Sequence, residues 1–154
     1  MAYSDFPPSS WFGKTLEDAL TTSADLLNDG NTYKAHLWTD AFVNPYGGET
    51  WDANASLGDY TAETGMWDTA NGESAGAALT LAGVTFAASG GSINLVTSTT
   101  LTWNLTDEDV VGIMIHNETD DVGICVINFG EAKTVSGDLT VAVDTTYDLT
   151  ALIF

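Results

Sequence analysis

Arginine is missing from this chain, and Lys14, Lys34 and Lys133 are its only basic side chains apart from two histidines. Without arginine there is no planar, bidentate clamp for phosphate or carboxylate groups. Twenty-two acids against three lysines leave a formal net charge of −19. Such a surface repels phosphate, which argues against direct contact with nucleic acid or an anionic membrane. Other proteins, cations and neutral sugars remain as partners, and the charge also serves solubility alone. Cys125 is the single cysteine, so no internal disulfide can form and stability must come from packing, assembly or a metal. No stretch approaches the ~20 apolar residues of a membrane-spanning helix. Residues 1–30 lack the basic segment and apolar run of a signal peptide, so the expected place of synthesis is a cytoplasm. The sequons at Asn54, Asn104 and Asn117 have meaning only on a secretory route.

What is present describes a folded body. Apolar residues make up 44% of 154 residues and charged residues only 16%, a balance that excludes a wholly disordered chain and fits one domain with a substantial core. Residues 1–13 form an expected extended arm: Pro7 and Pro8 hold the backbone open and cannot donate to a ladder. Tyr3, Phe6, Trp11 and Phe12 are costly to leave in water, so the arm is expected to dock on a groove of its own or a neighbouring subunit. The pattern over 15–28 predicts one short helix, with Leu16, Ala19, Leu20, Ser23, Leu26 and Leu27 on one stripe, Thr15 as N-cap and Asn28-Asp29-Gly30 as stop.

Residues 14–154 are read as one domain. Thr32–Trp38 alternates, with Tyr33, Ala35 and Leu37 on one face and Lys34, His36 and Trp38 on the other, which predicts a strand. Residues 39–76 form a long irregular, glycine-rich region carrying Trp51, Tyr60, Met66 and Trp67; a loop of that length needs a reason, such as a satellite core or a partner surface. From Ala77 onward short strands follow: Ala78–Ala87, Ile93–Val96, Thr100–Asn104, Val110–His116, Val122–Phe129, Asp138–Val143 and Tyr147–Phe154. Turn signals separate them at Gly90-Gly91, Thr106–Asp109, Asn117–Asp121, Gly130 and Ser136-Gly137. The expectation is a mainly β, antiparallel sandwich or barrel-like (jelly-roll-like) domain. Val111, Ile113 and Ile115 are expected to face Ile124 and Val126 across the acidic turn, with one face buried.

Sites for chemistry are sparse. There is no G-x-S-x-G elbow, and His36 and His116, the only histidines, are read as surface or half-buried strand residues. Cys125 lies in an apolar strand and reads as a core residue. Two histidines and one cysteine have no recognisable zinc spacing. Asp52, Asn54, Ser56 and Glu63 occupy positions 1, 3, 5 and 12 of a calcium-type loop, but Leu57 stands where the sharp turn needs glycine, so a solvated loop is the plainer reading. Glu118, Asp120 and Asp121 read as a hairpin turn. Trp11, Trp38, Trp51, Trp67 and Trp103 invite sugar stacking, although tryptophans at this density more often anchor cores or interfaces. No catalytic residue, metal or cofactor is assigned, and the chain is read as a non-enzyme. The candidate interface is Tyr3, Phe6, Pro7, Pro8, Trp11, Phe12, Trp51 and Trp67.

From Asn31 onward the chain runs through Asn31-Thr32-Tyr33-Lys34-Ala35-His36-Leu37-Trp38-Thr39, Gly83-Val84-Thr85-Phe86-Ala87, Leu101-Thr102-Trp103, Gly112–Asn117, Gly123–Gly130 and Val135–Val141. In these segments and their order the layout resembles a group of small structural proteins of tailed bacteriophages of actinobacteria. The arm at 1–13 and the segment 43–66 depart from that pattern. The resemblance implies a sandwich-like subunit that coats a capsid lattice or forms part of a tail, and implies no active-site residues. The expected role is therefore a capsid-decoration protein on the virion surface, with the major capsid protein and copies of itself, as a trimer for instance, as partners. A tail or head–tail connector component is the alternative, and a glycan-binding module of a fibre the next.

Overall fold

The computed structural model describes residues 10–11, 27–40, 78–89, 92–120 and 122–143, and these are almost entirely strand. In chain order the strands are β1 (Ser10–Trp11), β2 (Tyr33–Thr39), β3 (Leu79–Thr80), β4 (Thr85–Ser89), β5 (Ser92–Val96), β6 (Thr100–Asn117) and β7 (Val122–Ala142). Five of them form an antiparallel sheet in the order β1-β7-β6-β2-β3, while β4 and β5 make a separate two-stranded sheet. Among the described residues there is no helix, and none long and apolar enough to cross a membrane.

The sheet is organised by one hairpin. β6 runs for 18 residues and β7 for 21, against about 5–6 for a common strand. Both are rich in Val, Ile, Leu and Thr, whose branched side chains fit a pleated surface. β2 pairs with the half of β6 next to the hairpin tip, from Tyr33 opposite Asn117 to Thr39 opposite Val110. The other half of the hairpin, Thr100–Asp109 with Thr134–Ala142, continues past β2 as a two-stranded ribbon.

One core serves both parts. Tyr33, Ala35 and Leu37 share a face of β2 and pack with Val110, Ile113, Ile115, Ile124 and Ile127. Along the ribbon Leu101, Trp103 and Leu105 are buried while Thr102, Asn104 and Thr106 are exposed, the period-two signature of a strand with one wet face. Leu81, Val84 and Leu95 join the same cluster from the segment containing β4 and β5, so the smaller sheet contributes to the covering of the ribbon's apolar side. The connection into β4 is clamped at Ala82: its carbonyl accepts from the Thr97 hydroxyl at 2.7 Å and its amide donates to the Thr99 hydroxyl.

The hairpin tip is tied to the segment before β2. Lys34 pairs with Glu118, the Asn31 amide donates to Asp120 at 2.6 Å, and the Glu118 N–H donates to the Thr32 carbonyl at 2.8 Å. Asn117, fully buried, accepts from the N–H groups of Thr119 and Asp120 and donates to the Asp120 carboxylate at 2.8 Å. The Tyr33 hydroxyl donates to the Asn28 carbonyl at 2.8 Å. Desolvation pushes this phenol up to about 12, Asp120 and Asp29 adding to the effect and the Asn28 bond opposing it.

Several expectations need correction. The separate strands expected at Thr100–Asn104 and Val110–His116 are one strand, as are those at Val122–Phe129 and Asp138–Val143 up to Ala142. The turn signals between them fall opposite one another. Leu105 pairs with Gly137 and Glu108 with Val135, so Thr106 and Asp107 face Ser136 as a bulge. Asp107 takes φ 51° and Gly137 φ 102°, and both strands accommodate the irregularity together, which alters local twist without ending the ladder. A second bulge opposes Val111 to the four residues Phe129–Ala132, where Gly130 has φ 84°. A third, at Ile124, changes the expected face: Ile113 lies opposite Ile127, Ile115 opposite Cys125, and Val126 opposite Met114. The expected strand Ala78–Ala87 is divided into β3 and β4 around Gly83, φ 61°. The helix expected over 15–28 lies outside the described residues except for Leu27 and Asn28, neither of which is helical; the strand expected at 147–154 lies outside them altogether.

Candidate interaction surface

Every residue from Val110 to Asn117 is buried, so near the tip the sheet is covered on both faces. The face opposite the main core carries His36, Trp38, Met114, His116 and Val126, set in rows by the pairing of His36 with Met114, Lys34 with His116 and Met114 with Val126. The two histidine rings meet edge to face with centroids 5.5 Å apart, and both residues are 7% exposed. The expectation of surface or half-buried histidines is therefore corrected, as is the expectation that only one face of this hairpin is buried. Their meeting depends on the register of the two strands, which sets His36, in the middle of β2, opposite Met114, and His116 opposite Lys34.

The histidines do not meet the cysteine. Cys125 packs on the main-core side, opposite Ile115, whereas His116 follows Ile115 and so faces the other way. Cys125 keeps some exposed surface, yet desolvation pushes its thiol up to about 12. That is the opposite of the lowered value that activates a nucleophile. No group of three or more His, Cys, Asp or Glu side chains able to hold a metal occurs among the described residues.

The tryptophans read as possible sugar platforms divide. Trp38 is 0% and Trp103 3% exposed, so neither ring offers a face for stacking. Trp11 lies on β1, opposite Cys125. Trp51 and Trp67 lie outside the described residues, as do Tyr3, Phe6, Pro7, Pro8 and Phe12 of the expected interface and Asp52, Asn54, Ser56 and Glu63 of the calcium-type loop. Of the expected interface residues only Trp11 is among those described, and it pairs with Cys125 of β7.

What the structure offers instead is a strand edge. β1, from the expected arm, pairs antiparallel with the outer side of β7 at Val126 and Cys125. No other described strand pairs with that side of β7. From Glu131 to Thr134, and at Ser136, Asp138, Thr140 and Ala142, β7 is exposed, while Val135, Leu139 and Val141 are half-buried. The exposed row is polar and small, with Thr102 and Thr140 hydroxyls 3.4 Å apart and Asn104 donating to Asp138 at 2.7 Å.

No protein-family model, no curated protein and no solved structure matches the chain.

The edge is electrically distinct. Between Ala132 and Val143 the charged residues are Lys133 and Asp138 alone, and Thr100–Thr106 carries none, in a chain of net charge −19. Lys133 also pairs with Glu131 at 2.8 Å, which holds that carboxyl below its ordinary value. A locally neutral strand edge, paired among the described strands only with β1, is of the kind that accepts another extended chain by main-chain hydrogen bonding.

Proposed function

We propose that this chain is a structural protein of a bacteriophage virion, a capsid-decoration protein that binds the outer shell through protein–protein contacts. The observation that carries the assembly reading is the addition of the arm strand β1 to the edge of β7. Ser10 and Trp11 of that segment are the ladder partners there, and strand addition is a common mode of subunit recognition. The specific step to a phage shell rests on the resemblance of residues 31–154 to phage structural proteins. On this reading the two sheets form a sandwich-like body and the acidic surface faces solvent. Modest contacts, repeated at each lattice position, sum to firm attachment.

The test is electron microscopy of particles bearing a label fused to this chain. Label distributed over the head supports decoration; label confined to the neck or tail replaces it with a connector or tail role. A chain lacking residues 1–12 is expected to bind shells more weakly while keeping its β-rich circular dichroism. Unchanged shell binding by that variant removes the arm from the attachment.

A further inference from the structure

We propose that the outer edge of β7 between Ala132 and Ala142 pairs antiparallel with the same segment of a second copy, joining two ribbons into a four-stranded sheet. The inference rests on the assembly reading above and names one of its partners. Among the described strands only β1 pairs with the outer side of β7, the side chains of the segment alternate between exposed and half-buried, and backbone groups along such an edge are a template for another strand. An antiparallel strand, β1, already pairs with that side of β7 a few residues upstream, so the edge is accessible to a ladder partner.

Charge selects a copy's β7 as the occupant. In a chain with 22 acids, two copies meet only where the acids are sparse. An antiparallel self-pairing about a two-fold at Val135 sets Asp138 opposite Ala132 and Glu131 opposite Leu139; about Ser136, it sets Asp138 opposite Thr134 and Glu131 opposite Val141. No acid faces an acid in either register. The ribbon's other edge fails this test. Asp107, Glu108 and Asp109 stand in a row on β6, and a two-fold centred on any of the three sets carboxylate against carboxylate, which is destabilising. The contact is the same patch on both copies, so it closes as a pair and leaves no open end to run on as a filament. Half-buried Val135, Leu139 and Val141 lose their remaining exposed surface in the pair.

Two measurements on the purified full chain, without capsids, test this. Sedimentation across protein concentrations should show a monomer–dimer equilibrium shifted toward dimer as salt rises, because each copy's −19 charge is screened. Lys133→Glu should weaken it. For geometry, a single cysteine is placed by Ser136→Cys in a Cys125→Ala background and compared with Thr102→Cys, which lies on the same face one strand inward. Residues facing one another across an antiparallel pair have Cα atoms about 4.5–5.5 Å apart, within disulfide reach. With the two-fold at Ser136 the variant at 136 faces its counterpart and should therefore cross-link between copies, with the two-fold at Val135 it faces residue 134 and should cross-link to a Thr134→Cys copy, and the variant at 102 should do neither. If the Cys125→Ala background does not fold, hydrogen exchange of the natural chain decides: amides of 132–142 should slow with increasing concentration and those of 113–117 should not change. A monomer at all concentrations and salts, or equal cross-linking at 136 and 102, overturns the inference. Shells decorated by a chain that is monomeric in solution and on the lattice overturn the pairing and leave the decoration reading standing; pairs that bind no shell do the reverse.

Discussion

At the scale of single residues, the two most displaced titrations both oppose alkali. The Cys125 thiol is pushed up from 9.0 to about 12 and the Tyr33 phenol from 10.0 to about 12, each chiefly by desolvation. Below pH ~9 both groups are protonated whether the chain is folded or not, so they have no pH-dependent effect on stability. Above it the unfolded chain loses the Cys125 proton while the folded chain holds it, and stability falls; Tyr33 adds to the fall above pH ~10. Denaturant midpoints measured from pH 7 to 11 should drop over that window, and Cys125→Ala should flatten the first part of the drop. The same shift bears on reactivity. At pH 8 the folded thiol should react with a disulfide reagent about a thousandfold more slowly than the unfolded chain, since the thiolate is the reactive form. Tyr33→Phe removes the bond to the Asn28 carbonyl and keeps the ring against Phe86, 5.5 Å between centroids. It should cost about 0.5–1.5 kcal/mol by denaturant titration.

At the scale of elements, the long hairpin explains why some of the fold was legible and some not. The alternation of Tyr33, Ala35 and Leu37 was sufficient to place β2 and its core face, because a half-buried strand writes its period into the chain. Thr106–Asp109 and Ser136-Gly137 were misread as chain reversals. Each is a sound local turn signal, but lying opposite each other in the ladder they become a bulge within a continuous ribbon. Cross-strand register decides between the two outcomes, and a single segment does not contain it. The same limit hid the His36–His116 contact and the second buried face. Backbone conformation at these bulges is testable. A Cβ at Gly137 meets nothing within 4 Å, but its φ of 102° is one that side-chain-bearing residues rarely adopt. Gly137→Ala should therefore cost about 1–3 kcal/mol from backbone strain alone. Asp107→Gly, at φ 51°, should be neutral or slightly stabilising. Thermal unfolding of the two variants side by side checks both signs.

At the scale of the whole molecule, the described residues form one core cluster shared by a five-stranded sheet and a smaller hairpin, with a ribbon extending past β2. The expected mainly β, antiparallel character was readable from strand-forming composition and closely spaced turn residues. The β7 edge was not: the aromatic arm is conspicuous by its composition, whereas 132–142 is mostly small and β-branched residues with Lys133 and Asp138 as its only charges, and it acquires meaning only once its neighbours among the described strands are known. Net charge acts at this scale too. Copies repel at low salt, so the proposed contacts between copies should tighten as ionic strength rises toward physiological values. The most direct measurement is co-sedimentation of the purified chain with assembled phage shells lacking it. The account predicts saturable binding at a stoichiometry set by the shell's lattice symmetry. A chain that stays in the supernatant at every shell concentration and salt would contradict it.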